Sequence, residues 1–135
     1  MKLEITIHEK ENHKFALTGV REIDHLNPKE YLLYSTALCA GMTLQSILGK
    51  ERIKVKSLEI AVSGYIDTDK VEGKSQFVSF NIAYNIECSH IAEQAKVGNA
   101  VKLTTEKYCG TLAMLRKIAP VSHEISIVST EEVTA

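Results

Sequence analysis

The chain has 135 residues, 44% apolar and 24% charged, with 16 basic against 17 acidic side chains and three cysteines. That length suits one domain over residues 1–135, burying roughly two thirds of its unfolded surface, and leaves no room for a multidomain enzyme. The charge balance provides no overall drive towards nucleic acid or an anionic membrane, so neither is expected as a partner. Three thiols cannot all pair within one monomer, and no basic-then-apolar leader precedes Leu3, so a cytoplasmic protein with free thiols is expected rather than a secreted disulfide scaffold.

Apolar residues alternate at Leu3, Ile5 and Ile7 and again at Phe15 and Leu17, predicting two half-buried strands joined by a turn near Glu11 and Asn12. Asn27, Pro28 and Glu30 then read as N-cap, N1 and N3 of a helix with a capping box. It should run to about Leu48, with Gly49 as its C-cap. Its apolar residues leave no continuous polar face, which predicts burial on most sides, in a core or at a subunit interface. Ser35, Thr36, Thr43, Gln45 and Ser46 interrupt the run, arguing against a membrane span.

Two β-rich stretches follow, at about 53–66 and 75–86, separated by the polar segment Asp67 to Lys74. In the second, Phe80, Ile82, Tyr84 and Ile86 share a face opposite Ser79, Asn81 and Asn85. Lys50, Arg52, Lys54 and Lys56 alternate with Ile53 and Val55 and suggest a solvated strand face. A second helix is predicted from about Ile91 to Lys117, where Val97, Val101, Thr104, Tyr108, Thr111 and Leu115 step by three and four. Gly98 and Gly110 interrupt its propensity, and Pro120 ends it. Val121 to Val128 alternates as a last strand, followed by a frayed tail after about residue 130. The order ββαββαβ is an α+β fold.

No Gly-rich phosphate loop, Cys-x-x-Cys pair, His-Glu-x-x-His or Gly-x-Ser-x-Gly motif occurs. The remaining chemistry lies in the cysteines. Cys39 sits mid-helix, with Ser35, Thr36, Met42 and Thr43 one turn away on either side; Cys109 follows Thr105 and precedes Gly110 and Ala113. Each thiol reads either as a small core hydrophobe or as a nucleophile whose thiolate neighbouring hydroxyls can stabilise. Cys88 and His90 point to one side of a strand end, but two ligands make no zinc site. No metal site is expected.

The run Asn27-Pro28-Lys29-Glu30-Tyr31-Leu32-Leu33 ahead of Cys39, together with Glu106-Lys107-Tyr108-Cys109, resembles the OsmC/Ohr family of thiol-dependent peroxide-reducing proteins over nearly the full length of the chain. The resemblance implies an intertwined homodimer, with two central apolar helices per subunit packed on β-sheets and active sites near the subunit interface. It implies a cofactor-free thiol peroxidase, in which Cys39 attacks a hydroperoxide and becomes a sulfenic acid. Cys109 resolves this to a disulfide, and an external dithiol reduces the pair. It also implies an arginine that steadies the thiolate, for which Arg21 is the candidate, and an acidic partner, for which Glu30 is the candidate. The chain departs from the organic-hydroperoxide branch in having Lys29 directly after Asn-Pro, with the acid shifted by one to Glu30. Glu30 also reads as a simple capping residue, and Arg21 as a solvated loop charge. Two other functions remain open: a non-catalytic dimer that binds a small molecule or acyl chain and keeps its cysteines inert, and a redox-regulated interaction protein.

Overall fold

The computed structural model describes residues 1–71 and 73–129; the expected fraying of the tail lies outside them. Strands β1 (Lys2–Glu9) and β2 (Phe15–Leu17) form a hairpin around a turn in which His13 adopts a left-handed φ of 62°. Helix α1 (Pro28–Lys50) follows, then β3 (Val55–Ile66) and β4 (Phe77–Cys88). Next come α2 (Gln94–Leu103), a π-helical turn at Thr104–Tyr108, α3 (Gly110–Ile118) and β5 (Val121–Ser129). The strands make one sheet in the order β2-β1-β3-β4-β5. All neighbours are antiparallel except β4 and β5, whose parallel pairing requires the crossover that α2 and α3 supply.

The α+β expectation is met, and the strand alternation shows how the core forms. Register aligns Ile5, Val62 and Ile82 in one cross-strand row and Ile7, Ile60 and Tyr84 in the next. All six are buried on the face that the helices cover. Each such Ile or Val contributes about 1.5–3 kcal/mol through burial. The opposite face carries Glu4, Ala61, Asn81 and Glu124 around an open depression.

α1 begins as its sequence predicts. The Asn27 side chain accepts the Glu30 N–H at 2.9 Å, the Glu30 carboxylate accepts the Asn27 N–H at 3.1 Å, and Pro28 occupies the first turn. Its end differs. The helix runs through Gly49 to Lys50 and closes with Arg52 in a left-handed conformation (φ 58°). The N–H groups of Ile53 and Arg52 return to the carbonyls of Leu48 and Gly49, at 2.9 and 3.1 Å. This is a Schellman closure in which buried Leu48 and Ile53 outweigh glycine's local advantage. The expected basic strand face is therefore divided: Lys50 ends the helix, Arg52 makes the turn, and of the four basic residues only Lys56 lies within β3.

By length and hydropathy α1 would pass for a membrane span. Here Leu33, Ala37, Ala40, Leu44 and Leu48 bury one stripe against the sheet. Burial on most sides is not what the single chain shows: Tyr31, Ser35, Met42 and Ser46 face outward, because the sheet covers only one side of the helix. Close approach to the hairpin depends on Gly41, where an added Cβ would lie 2.5 Å from the Phe15 ring.

The predicted helix from Ile91 to Lys117 is broken. A short 3-10 turn at Ile91–Glu93 leads into α2, and the π-turn and an extended Cys109 (φ −81°, ψ 102°) separate α2 from α3. The Cys109 N–H reaches five residues back to the Thr104 carbonyl, at 2.9 Å. The three-and-four periodicity survives because α2 and α3 press apolar residues on the same sheet, so the pattern hides the break between them.

Candidate active site at a pair of thiols

Cys39 and Cys109 are 70 residues apart in the chain, and their sulfurs lie 3.3 Å apart. Cys39 comes from the middle of α1 and is half-buried; Cys109 comes from the break and is buried. The break puts Cys109 at the N-cap position of α3, where the first backbone N–H groups have no partner within their own helix.

Those groups turn towards the sulfurs. Burial works against a Cys39 thiolate, but the Thr111 hydroxyl and backbone N–H, the Cys109 thiol and the Thr43 hydroxyl outweigh it and hold the Cys39 thiol below its ordinary range. Burial, with the neighbouring Cys39 adding to it, pushes Cys109 up to about 11, against the N–H groups of Leu112 and Thr111. The result is an unequal pair: one sulfur favoured as thiolate at a helix N-terminus, the other kept as a thiol that donates to it.

Behind the pair lies Tyr84, fully buried on β4, whose hydroxyl oxygen accepts the Thr105 hydroxyl at 2.9 Å. Burial pushes Tyr84 up to about 12, and the charges of both cysteines and of Arg116 reach it. Beside the pair a groove of about 560 Å³ runs from Met42, Thr43 and Ile47 to Leu103 and Tyr108, with Lys50 and Glu51 at its margin. Its walls are mostly apolar, and it starts one helical turn from Cys39.

Arg21 and Glu30 also meet, but in a different place. The Arg21 guanidinium clasps the Glu30 carboxylate through both terminal nitrogens, one at 2.7 Å, and donates to the His25 carbonyl at 3.1 Å. Arg21 holds the buried Glu30 carboxyl below the usual carboxylate range; burial opposes this, and the Asn27 N–H assists. Glu30 lies nine residues before Cys39, roughly 13 Å along the axis of α1. Glu30 thus caps the helix and binds Arg21 with the same carboxylate.

Cys88 is apart from this site. At the end of β4 its thiol donates towards the carbonyls of His90 and Val128, each at 3.5 Å, like a satisfied core residue. Of the hydroxyls flanking Cys39 in sequence, only Thr43 is turned to the sulfur; Thr36 bonds back to the Leu32 carbonyl at 2.8 Å, and Ser35 faces outward. Thr111 was missed as a site residue because it fits the helical periodicity. Its available signal was a helix N-terminus, a small polar residue two after a cysteine and just past a glycine.

The model of the family described as "OsmC-like protein" matches residues 19–124, a span that includes both thiols, Arg21 and Glu30. The chain belongs to the OsmC-like family. Protein YhfA of Escherichia coli K12 is 28% identical over 117 residues, covering 87% of this chain and 84% of that protein. A hypothetical protein from Aquifex aeolicus superposes with a TM-score of 0.65 at 25% identity, over 97% of this chain and 100% of the other. An organic hydroperoxide resistance protein from Elizabethkingia anophelis superposes with a TM-score of 0.58 at 15% identity, over 86% and 84% of the two chains, and shares the fold. Among OsmC-like folds some members thus carry the name of hydroperoxide resistance, while the name of YhfA states no activity.

Proposed function

We propose that this OsmC-like protein is a cytoplasmic thiol peroxidase acting on hydroperoxides, with Cys39 as the peroxidatic residue and Cys109 as the resolving one. The supporting observation is the unequal dithiol: two sulfurs at 3.3 Å, with Cys39 favoured as thiolate and Cys109 held as thiol. The Cys39 thiolate attacks the distal oxygen of ROOH. The O–O bond breaks, RO⁻ leaves and takes a proton to become ROH, and Cys39 becomes a sulfenic acid. Cys109 then displaces hydroxide from that sulfur; its proton leaves in the water formed, and a Cys39–Cys109 disulfide remains. An external dithiol reduces it by exchange. No step calls on a metal or an organic cofactor.

The groove beside Thr43 suits the carbon chain of an organic hydroperoxide. Arg21 serves the site through Glu30, by anchoring the loop that leads into α1. The apolar surface left uncovered on the helical side, where Met42, Tyr108, Met114 and Ile118 are each more than half exposed, supports a homodimer.

The test is consumption of cumene hydroperoxide and of hydrogen peroxide with a dithiol reductant. Wild-type protein should turn over, and one equivalent of peroxide should produce an intramolecular Cys39–Cys109 disulfide detectable by mass spectrometry. Wild-type consumption no faster than that of Cys39→Ser sinks the reading. The apolar groove is also the observation that favours a second reading, a dimer that binds a small molecule or acyl chain without catalysis; retention of both thiols after peroxide treatment would support it.

A further inference from the structure

The break at Cys109 exposes a backbone group that the peroxide chemistry does not use. In an α-helix the Thr105 carbonyl would accept the Cys109 N–H; here that N–H goes to Thr104 instead. Arg116, on α3, reaches back and donates from Nη2 to the Thr105 carbonyl. The same residue's hydroxyl is tied to Tyr84 on the sheet, so Thr105 is held by its side chain to β4 and by its carbonyl to α3. Tyr84, the hydroxyl partner of Thr105, feels the charges of Arg116 and of both thiols.

We infer that Arg116 is a positioning residue for the thiol pair: by holding the Thr105 carbonyl it keeps the helical run broken at Cys109. The broken state presents Cys109 to Cys39 and leaves the first N–H groups of α3 free for the sulfurs. Without the guanidinium the backbone can resume the α-helical pattern, in which the Cys109 N–H returns to Thr105 and the Thr111 N–H to Lys107. Closing the disulfide then requires re-forming the break, so the oxidised state becomes harder to reach. The inference rests on the dithiol function proposed above, although not on a peroxide being the oxidant.

The full-length protein is equilibrated anaerobically with mixtures of reduced and oxidised dithiothreitol, quenched in acid, and the Cys39–Cys109 disulfide quantified by mass spectrometry. In this exchange the protein dithiol loses two electrons and two protons to oxidised dithiothreitol. Arg116→Met should shift the equilibrium about tenfold towards the dithiol, equivalent to about 30 mV, which is within what loss of one charged hydrogen bond allows. Arg116→Lys, which keeps a cationic donor, should recover most of the shift. If the Met variant does not fold, Arg116→Gln, with a shorter neutral donor, carries the test and should be impaired relative to Lys. An equilibrium within twofold of wild type for Met, or for Gln in its place, overturns the inference, as does equal impairment of Lys. Wild type that forms the disulfide in these buffers but consumes no hydroperoxide defeats the peroxidase reading alone; wild type that forms no disulfide defeats both.

Discussion

α1 carries Cys39 through 23 residues of continuous helix, whereas the run that carries Cys109 is interrupted at the cysteine itself by a π-turn and one extended residue. A thiol in mid-helix is surrounded by backbone N–H groups already bonded within that helix, so its own element offers little to stabilise a negative charge. A thiol at a break sits beside a helix N-terminus whose N–H groups are free. In this chain the two arrangements are combined: the intact helix supplies the more exposed sulfur and the Thr43 hydroxyl, and the broken one supplies the other donors. Continuity gives Cys39 a fixed position, and interruption gives it hydrogen-bond donors that favour its thiolate.

Replacing each cysteine breaks the comparison most completely. Cys39→Ser should abolish peroxide consumption. Cys109→Ser should still react once and then stop at a sulfenic acid, trapped as a dimedone adduct and seen by mass, because no thiol remains beside Cys39 to resolve it.

The donors come next. Thr111→Val removes a hydroxyl that favours the Cys39 thiolate, so alkylation of Cys39 by iodoacetamide should slow about 2- to 10-fold at neutral pH and recover at higher pH. In wild-type protein the same reagent at pH 7 should label Cys39 and spare Cys109, whose thiol is pushed up to about 11 chiefly by burial. Equal labelling of the two would remove the distinction between them.

Smaller effects test the continuity of α1. Gly41→Val drives a side chain into the Phe15 ring and should cost about 1–3 kcal/mol in chemical denaturation, with α1 displaced from the hairpin. Arg52→Gly relieves a left-handed residue at the Schellman closure and should stabilise by about 1 kcal/mol, read as a higher Tm. Glu30 has a pH signature. Its folded carboxyl is depressed below the ordinary value of 4.5, so its stabilising contribution is present above that pH and is lost as pH falls through the folded value. The stability gap between wild type and Glu30→Gln, measured by denaturation from pH 7 to pH 3, should narrow below about pH 4.5.

Much of this was legible in the residues themselves. Alternation in β1 and β4 identified the inner face, because a strand's period of two assigns every side chain to one face or the other. Asn27, Pro28 and Glu30 marked the start of α1 because capping is satisfied by adjacent residues. The helix end was less legible: Gly49 was the local choice, but the contact between Leu48 and Ile53 moved the closure to Arg52. The break before α3 was hidden for a related reason, since Thr104, Tyr108 and Thr111 keep the helical spacing across it.

The sequence by itself determined the element order, the buried strand face, the capped start of α1 and the three thiols in their local settings. Only the tertiary structure decided how closely the expected pair Cys39 and Cys109 meet, that Thr43 and Thr111 serve Cys39 while Thr36 does not, and that the Glu30 carboxylate also binds Arg21. Local propensity and periodicity act between residues a few positions apart, so they are written along the chain. The separation of two sulfurs 70 residues apart, and the direction of an N–H at the end of another helix, depend on how α1 and α3 pack on one sheet.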